Sequence, residues 1–172
     1  MKKSNNIILI GPMGAGKTTV GRELAKRLEL RFYDSDQEIE RRTGATVALI
    51  FEIEGEKGFR RRETDMIKEL TKHTNIVLAT GAGAVLDPDN RKILGGRGLV
   101  VYLRTGLERL VQRTSRNNKR PLLNTDNPAA KLQELLAARE PLYEALADLI
   151  VDTDQRPIQS IINEIAEHRV LP

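Results

Sequence analysis

The stretch Gly11-Pro12-Met13-Gly14-Ala15-Gly16-Lys17-Thr18 constrains this chain more than any other. It follows the apolar run Ile7-Ile8-Leu9-Ile10 and precedes a segment with helical apolar spacing, Thr19 to Leu28. Strand, glycine-rich turn and helix in that order make G-x-x-x-x-G-K-[ST] a phosphate-binding loop rather than a chance string. The glycines let the backbone turn its N–H groups inward around an anion. The following helix adds the positive end of its dipole. Lys17 is placed to reach β- and γ-phosphates, and the Thr18 hydroxyl to ligate Mg²⁺. A nucleoside triphosphate is the expected ligand.

Beyond this loop, short apolar runs alternate with helical patterns. Strands are expected at Ile7–Ile10, Arg31–Tyr33, Ile76–Ala79, Leu99–Leu103 and Leu149–Val151. Helices are expected at Lys17–Leu28, Gln37–Thr43, Val47–Ile53, Lys57–Lys72, Asp89–Leu94, Leu107–Arg113, Ala129–Ala147 and Ile158–His168. Such alternation predicts an α/β fold, a parallel sheet with helices on both faces and ligands beyond the C-terminal strand ends. A length of 172 residues suits one domain, residues 1–172. Aromatics are only 3%, so the core is built mainly from Leu, Ile, Val and Ala. The absence of cysteine excludes disulfides and thiolate chemistry. A net charge of +4 suits either nucleic acid or a pocket for a nucleotide and a small acidic substrate. The apolar run after Met1-Lys2-Lys3-Ser4 ends at Gly11, too short for a signal or a membrane span. A cytoplasmic protein is expected.

Six further stretches bear on chemistry. Asp34-Ser35-Asp36 ends the second expected strand. With a side-chain period of two, both carboxylates point the same way from it. If that strand neighbours the first, they face the phosphates, one for Mg²⁺ and one for an attacking hydroxyl. The competing reading is that Asp36 only N-caps the helix at Gln37. In Gly58-Phe59-Arg60-Arg61-Arg62-Glu63, helical geometry lets one or two arginines face a site. Spacing alone favours a solvated face with a Glu56–Arg60 pair. The small residues of Thr80-Gly81-Ala82-Gly83-Ala84 suit either close backbone approach to a ligand or a tight turn. Residues 115–127 are polar, basic and without periodicity, and read as a lid that excludes water and carries arginine charge. Within them Asn118-Lys119 lacks the aspartate of a guanine-reading motif, since Pro121 stands there. Pro141 bends its helix near Arg139, and that arginine faces either a cleft or solvent. The loop Thr153–Pro157 is expected near the nucleotide base.

Taken in order, GPMGAGKT, FYDSD, EGFRRRE, ATGAGAV, KRPLL and AREPLY resemble shikimate kinase over nearly the whole chain, about Asn6 to Ile165. The resemblance implies transfer of the ATP γ-phosphoryl to the 3-hydroxyl of shikimate, on the route to chorismate and the aromatic amino acids. It implies a three-layer P-loop kinase fold, similar to nucleoside monophosphate kinases, with a five-stranded parallel sheet, a mobile lid at about 115–127 and substrate-binding helices at about 37–72. By the same resemblance Gly14, Ala15, Gly16, Lys17, Thr18 and Thr19 cradle the phosphates. Thr18 and Asp34 attend Mg²⁺. Lys17, Asp36 and Arg120 are catalytic, Asp36 as hydroxyl contact and base, Arg120 as the lid arginine. Arg60 and Arg139 grip the shikimate carboxylate, as paired guanidinium forks suit an acidic substrate. Arg113 and Arg156 flank adenine. The loop Gly81, Ala82, Gly83 offers its backbone to shikimate. The family usually has three glycines there. Ala82 keeps its N–H, so the contact survives at negative φ, whereas positive φ costs about 1–2 kcal/mol. A monomer acting on neither nucleic acid nor membrane is implied.

The alternative is a kinase of another small hydroxy acid such as gluconate, which shares the loop but needs no arginines for a ring carboxylate. A nucleotide-gated switch would carry a guanine-reading motif. A nucleic-acid-binding ATPase would carry an aromatic stacking platform. Neither is present in the sequence.

Overall fold

The computed structural model describes residues 4–116 and 120–170. Residues 117–119 of the expected lid, including Asn118-Lys119, and residues 1–3 lie outside the described residues. Five strands, β1 (Ile7–Ile10), β2 (Arg31–Asp34), β3 (Ile76–Ala79), β4 (Leu99–Arg104) and β5 (Leu149–Asp152), form one parallel sheet in the order β2-β3-β1-β4-β5. Seven helices are described: α1 (Lys17–Leu28), α2 (Ser35–Thr43), α3 (Val47–Leu70), α4 (Pro88–Arg97), α5 (Leu107–Thr114), α6 (Pro128–Leu146) and α7 (Ile158–Val170).

The alternation of strand side chains divides the core into two layers. Ile7 and Leu9 of β1 join Val77, Val101, Leu103 and Val151 beneath α1 and α7. Ile8 and Ile10 join Ile76, Leu78, Val100 and Tyr102 beneath α3 and α4. The middle strands β1 and β3 are buried at every position, as a continuous apolar strand covered on both faces must be. The edge strands β2 and β5 are partly exposed. This is the three-layer α/β architecture read from the alternation. Among the described residues no helix is long and apolar enough to cross a membrane.

Two differences from the sequence reading bear on the site. The second strand does not neighbour the first, because β3 lies between them. The helices expected at Val47–Ile53 and Lys57–Lys72 form one element interrupted at Gly55, whose φ of 73° and ψ of 177° are not helical. Val47 and Phe51, before the interruption, line the same hollow as Phe59 and Arg60, after it.

Candidate functional site

The phosphate loop joins β1 to α1. Gly16 caps the helix at φ 92°, a left-handed conformation that a side chain would resist. Lys17 is buried, and its Nζ donates to the carbonyls of Gly11 at 2.7 Å and Pro12 at 2.9 Å. Burial, followed by the charge of Arg120, lowers its pKa to about 8. The loop opens on a hollow of about 700 Å³, lined by Gly14 to Thr19, Arg109, Arg113 and Arg156. Arg113 lies along the loop, with Nη1 donating to Gly14 O at 2.9 Å. Arg156 faces the same hollow but is tied down by α7. Its Nη1 meets Glu164 at 2.7 Å and its Nε donates to Ser160 Oγ at 3.1 Å.

A second hollow, of about 350 Å³, lies beside the first. Thr18, Asp34, Asp36, Gly81, Ala82 and Arg120 line both, so the two share a wall. Asp34 and Asp36 arrive there by a different route from the one expected. The strand runs on to Asp34 and the helix begins at Ser35, so Asp34, not Asp36, is the N-cap. Asp34 Oδ1 accepts from Gln37 N at 3.0 Å, and Oδ2 accepts from Thr18 Oγ1 at 2.6 Å. Asp36 sits in the first helical turn, so a strand period does not explain its direction. Its Oδ1 is buried without a hydrogen-bond partner. Burial, then the charges of Glu63 and Asp34, raise its pKa to about 7.

The far side of this hollow is cationic. Of the three consecutive arginines only Arg60 lines it; Arg61 and Arg62 are exposed. Arg60 keeps the expected Glu56 contact at 3.2 Å, yet its Nη1 also bonds Glu63 Oε1 at 2.9 Å and its Nε is buried without a partner. Arg139 is 4% exposed and lines the same hollow, so the proline-bearing helix presents it inward. Arg120 lines both hollows, with a buried, partnerless Nε, and burial lowers its pKa.

The Gly81–Gly83 loop is small because it must be. A Cβ at Gly81 would lie 2.7 Å from Glu63 Oε2 and 2.9 Å from Asp36 Oδ1, and one at Gly83 would overlap the Arg60 guanidinium. Ala82 does not have positive φ, so it sits there without left-handed strain. Its methyl packs against the core layer under α1.

Sequence reasoning missed Glu63, Ser35 and Tyr143. Glu63 is 1% exposed, and burial raises its pKa against the opposing pull of Arg60. It shares a helical phase with Phe59, Met66, Ile67 and Leu70, all buried, and that phase was a usable signal. Ser35 was overlooked between its two acidic neighbours, and Tyr143 reads as an ordinary core aromatic.

A family model described as "Shikimate kinase" matches residues 13–169. The shikimate kinase of Thioalkalivibrio sulfidiphilus is 54% identical over 98% of this chain and 88% of its own length. A solved shikimate kinase from Acinetobacter baumannii in complex with shikimate superposes with a TM-score of 0.93, at 51% identity, over 97% of this chain and 93% of that one. A gluconokinase structure from Sinorhizobium meliloti, at 17% identity and a TM-score of 0.61 over 98% of this chain and 93% of that one, shares the fold alone.

Proposed function

Because the chain belongs to the shikimate kinase family, we propose a division of labour across the wall that the two hollows share. The enzyme transfers the γ-phosphoryl of ATP to the 3-hydroxyl of shikimate, giving shikimate 3-phosphate and ADP. ATP occupies the larger hollow. Backbone N–H groups of Gly14 to Thr19 and the Lys17 ammonium hold its phosphates, while Arg113 and Arg156 flank the base. Shikimate occupies the smaller hollow. Arg60 and Arg139 bind its carboxylate, and the loop Gly81-Ala82-Gly83 offers it backbone N–H groups.

Asp36 takes the proton of the 3-hydroxyl as that oxygen bonds to the γ-phosphorus. The bond from phosphorus to the bridging oxygen breaks, and ADP leaves with the electron pair. A carboxylate with a pKa raised toward 7 by burial is a better base than an ordinary aspartate. Arg120 brings positive charge to the transferring group, and its place on the wall of both hollows shields that group from water. The hard oxygen pair of Thr18 and Asp34, 2.6 Å apart, suits Mg²⁺. Thr18 and Asp34 would be the protein groups that hold it, and Mg²⁺ commonly keeps several waters besides. When bound, Mg²⁺ neutralises charge on the β- and γ-phosphates. The enzyme acts as a cytoplasmic monomer.

The observation that carries this reading is the pair of guanidinium groups, buried Arg139 and half-buried Arg60, in a hollow that meets the nucleotide hollow at Asp36. ADP release measured with ATP and either shikimate or gluconate tests it. Turnover on shikimate at least about a hundredfold above gluconate in kcat/KM is expected. Comparable turnover on both would overturn it.

A further inference from the structure

The loop Gly81-Ala82-Gly83 has three amides but does not offer all of them outward. Gly81 N donates to Ser35 Oγ at 3.1 Å, and Ser35 is fully buried. The carbonyls of Gly81 and Gly83 accept from Ala84 N and Leu86 N, both at 3.1 Å. The Ala82 carbonyl accepts from the hydroxyl of Tyr143 at 2.6 Å. Among the described residues the amides of Ala82 and Gly83 donate to no other loop or turn carbonyl, which leaves them for a ligand, and the two hydroxyls hold the loop behind them.

Each hydroxyl belongs to an element that also carries charge into the substrate hollow. Ser35 stands between Asp34 and Asp36 in α2. Tyr143 lies one turn beyond Arg139 on α6, and both residues are buried there. The Tyr143 ring is fully buried and stacked on Tyr102, with centroids 5.0 Å apart. Burial holds its proton well above the usual phenol range, so the hydroxyl stays a donor at every working pH.

We propose that Ser35 and Tyr143 are positioning residues that tie the Gly81–Gly83 loop to the acid-bearing end of α2 and to Arg139 of α6, so that amides, carboxylate and guanidinium meet the substrate in one fixed arrangement. The proposal rests on the reading that shikimate fills this hollow. It predicts a selective effect, because both hydroxyls hydrogen-bond the substrate loop and, although Tyr143 shares a small cavity with Pro12 and Met13, neither hydroxyl bonds a phosphate-loop group. Loss of either hydroxyl frees the loop without removing a group that contacts substrate.

The test is steady-state kinetics of Tyr143→Phe and Ser35→Ala beside the wild-type enzyme, with melting temperature recorded for each. Phenylalanine keeps the stacked ring. Each change should raise the KM for shikimate about tenfold and leave the KM for ATP within about twofold. The melting temperature should fall by only a few degrees, about what one lost hydrogen bond costs. Unmoved shikimate KM values in both variants would overturn the proposal. So would equal rises for both substrates alongside a large fall in melting temperature, the pattern of a merely structural role. If Tyr143→Phe does not fold, Ser35→Ala decides alone. Failure of the wild-type enzyme to turn over shikimate would sink the functional reading instead, and the controls separate the two.

Discussion

The two hollows are built from the same strand ends but by opposite means. The nucleotide hollow has one continuous stretch, Met13 to Val20, at its heart, whose ligand groups are backbone N–H donors and one lysine, and arginines from elsewhere complete its rim. The acceptor hollow has no such local origin. Asp36 comes from α2, Arg60 and Glu63 from α3, Ala82 from the loop after β3, Arg120 from the stretch before a short 3-10 turn and Arg139 from α6. Phosphate chemistry is the same for every nucleotide, so a fixed backbone cradle suffices. Choosing one acid among many needs side chains converging from distant points.

Lys17 lines the nucleotide hollow alone whereas Asp36, Arg120 and Ala82 line both, so four substitutions separate a one-sided change from changes on the shared wall. The largest effect is expected for Lys17→Ala, which should cut turnover about a thousandfold or more while shikimate still binds, as read by calorimetry. Loss of shikimate binding would break the comparison. Asp36→Asn, on the shared wall, should lower kcat a few hundredfold, roughly the value of a positioned base. It should also raise the melting temperature above about pH 7. Asp36 is raised from 3.8 to about 7 in the fold, so its neutral form is favoured there. The stability this carries is complete below about pH 4 and lost as pH rises through about 7, where the native enzyme holds a buried, strained carboxylate. Asparagine escapes that loss, and an unchanged melting temperature at pH 8 would contradict it.

Arg120→Ala should lower kcat about a hundredfold with KM changes under about fivefold, since its charge matters most at the transferring group. In the wild-type enzyme, kcat/KM for shikimate should fall about tenfold per pH unit below the Asp36 value of about 7. A flat profile between pH 5 and 7 would remove Asp36 as the base. The smallest effect is Ala82→Gly. Since Ala82 carries no positive-φ strain and its carbonyl is held by Tyr143, the KM for shikimate should change by no more than about twofold.

The contrast also explains what could be read without a structure. The phosphate loop is contiguous, so its residues, its flanking strand and its helix were all legible from spacing. The sheet was legible too, because covered parallel strands leave unbroken apolar runs such as Ile76–Ala79. Strand order was not, because no local pattern in β2 announces that β3 will pass between it and β1. The cap of α2 went to Asp34 because the strand ran one residue longer than its apolar residues suggest. Arg60 and Arg139 looked like surface arginines by spacing, and only the family resemblance drew them inward. Glu63 could have been found from its place among Phe59, Met66 and Ile67. Ser35 and Tyr143 could not, since the loop they hold is distant in sequence from both.

The central claim is that Arg60 and Arg139 line the acceptor hollow alone, across the wall it shares with the nucleotide hollow. Calorimetric titration of Arg139→Ala with shikimate, and separately with ATP, tests this most directly. Affinity for shikimate should fall about a hundredfold, the cost of removing one side of a buried ion pair, with ATP affinity unchanged within about twofold. Equal losses for both ligands, or no loss for either, would contradict it.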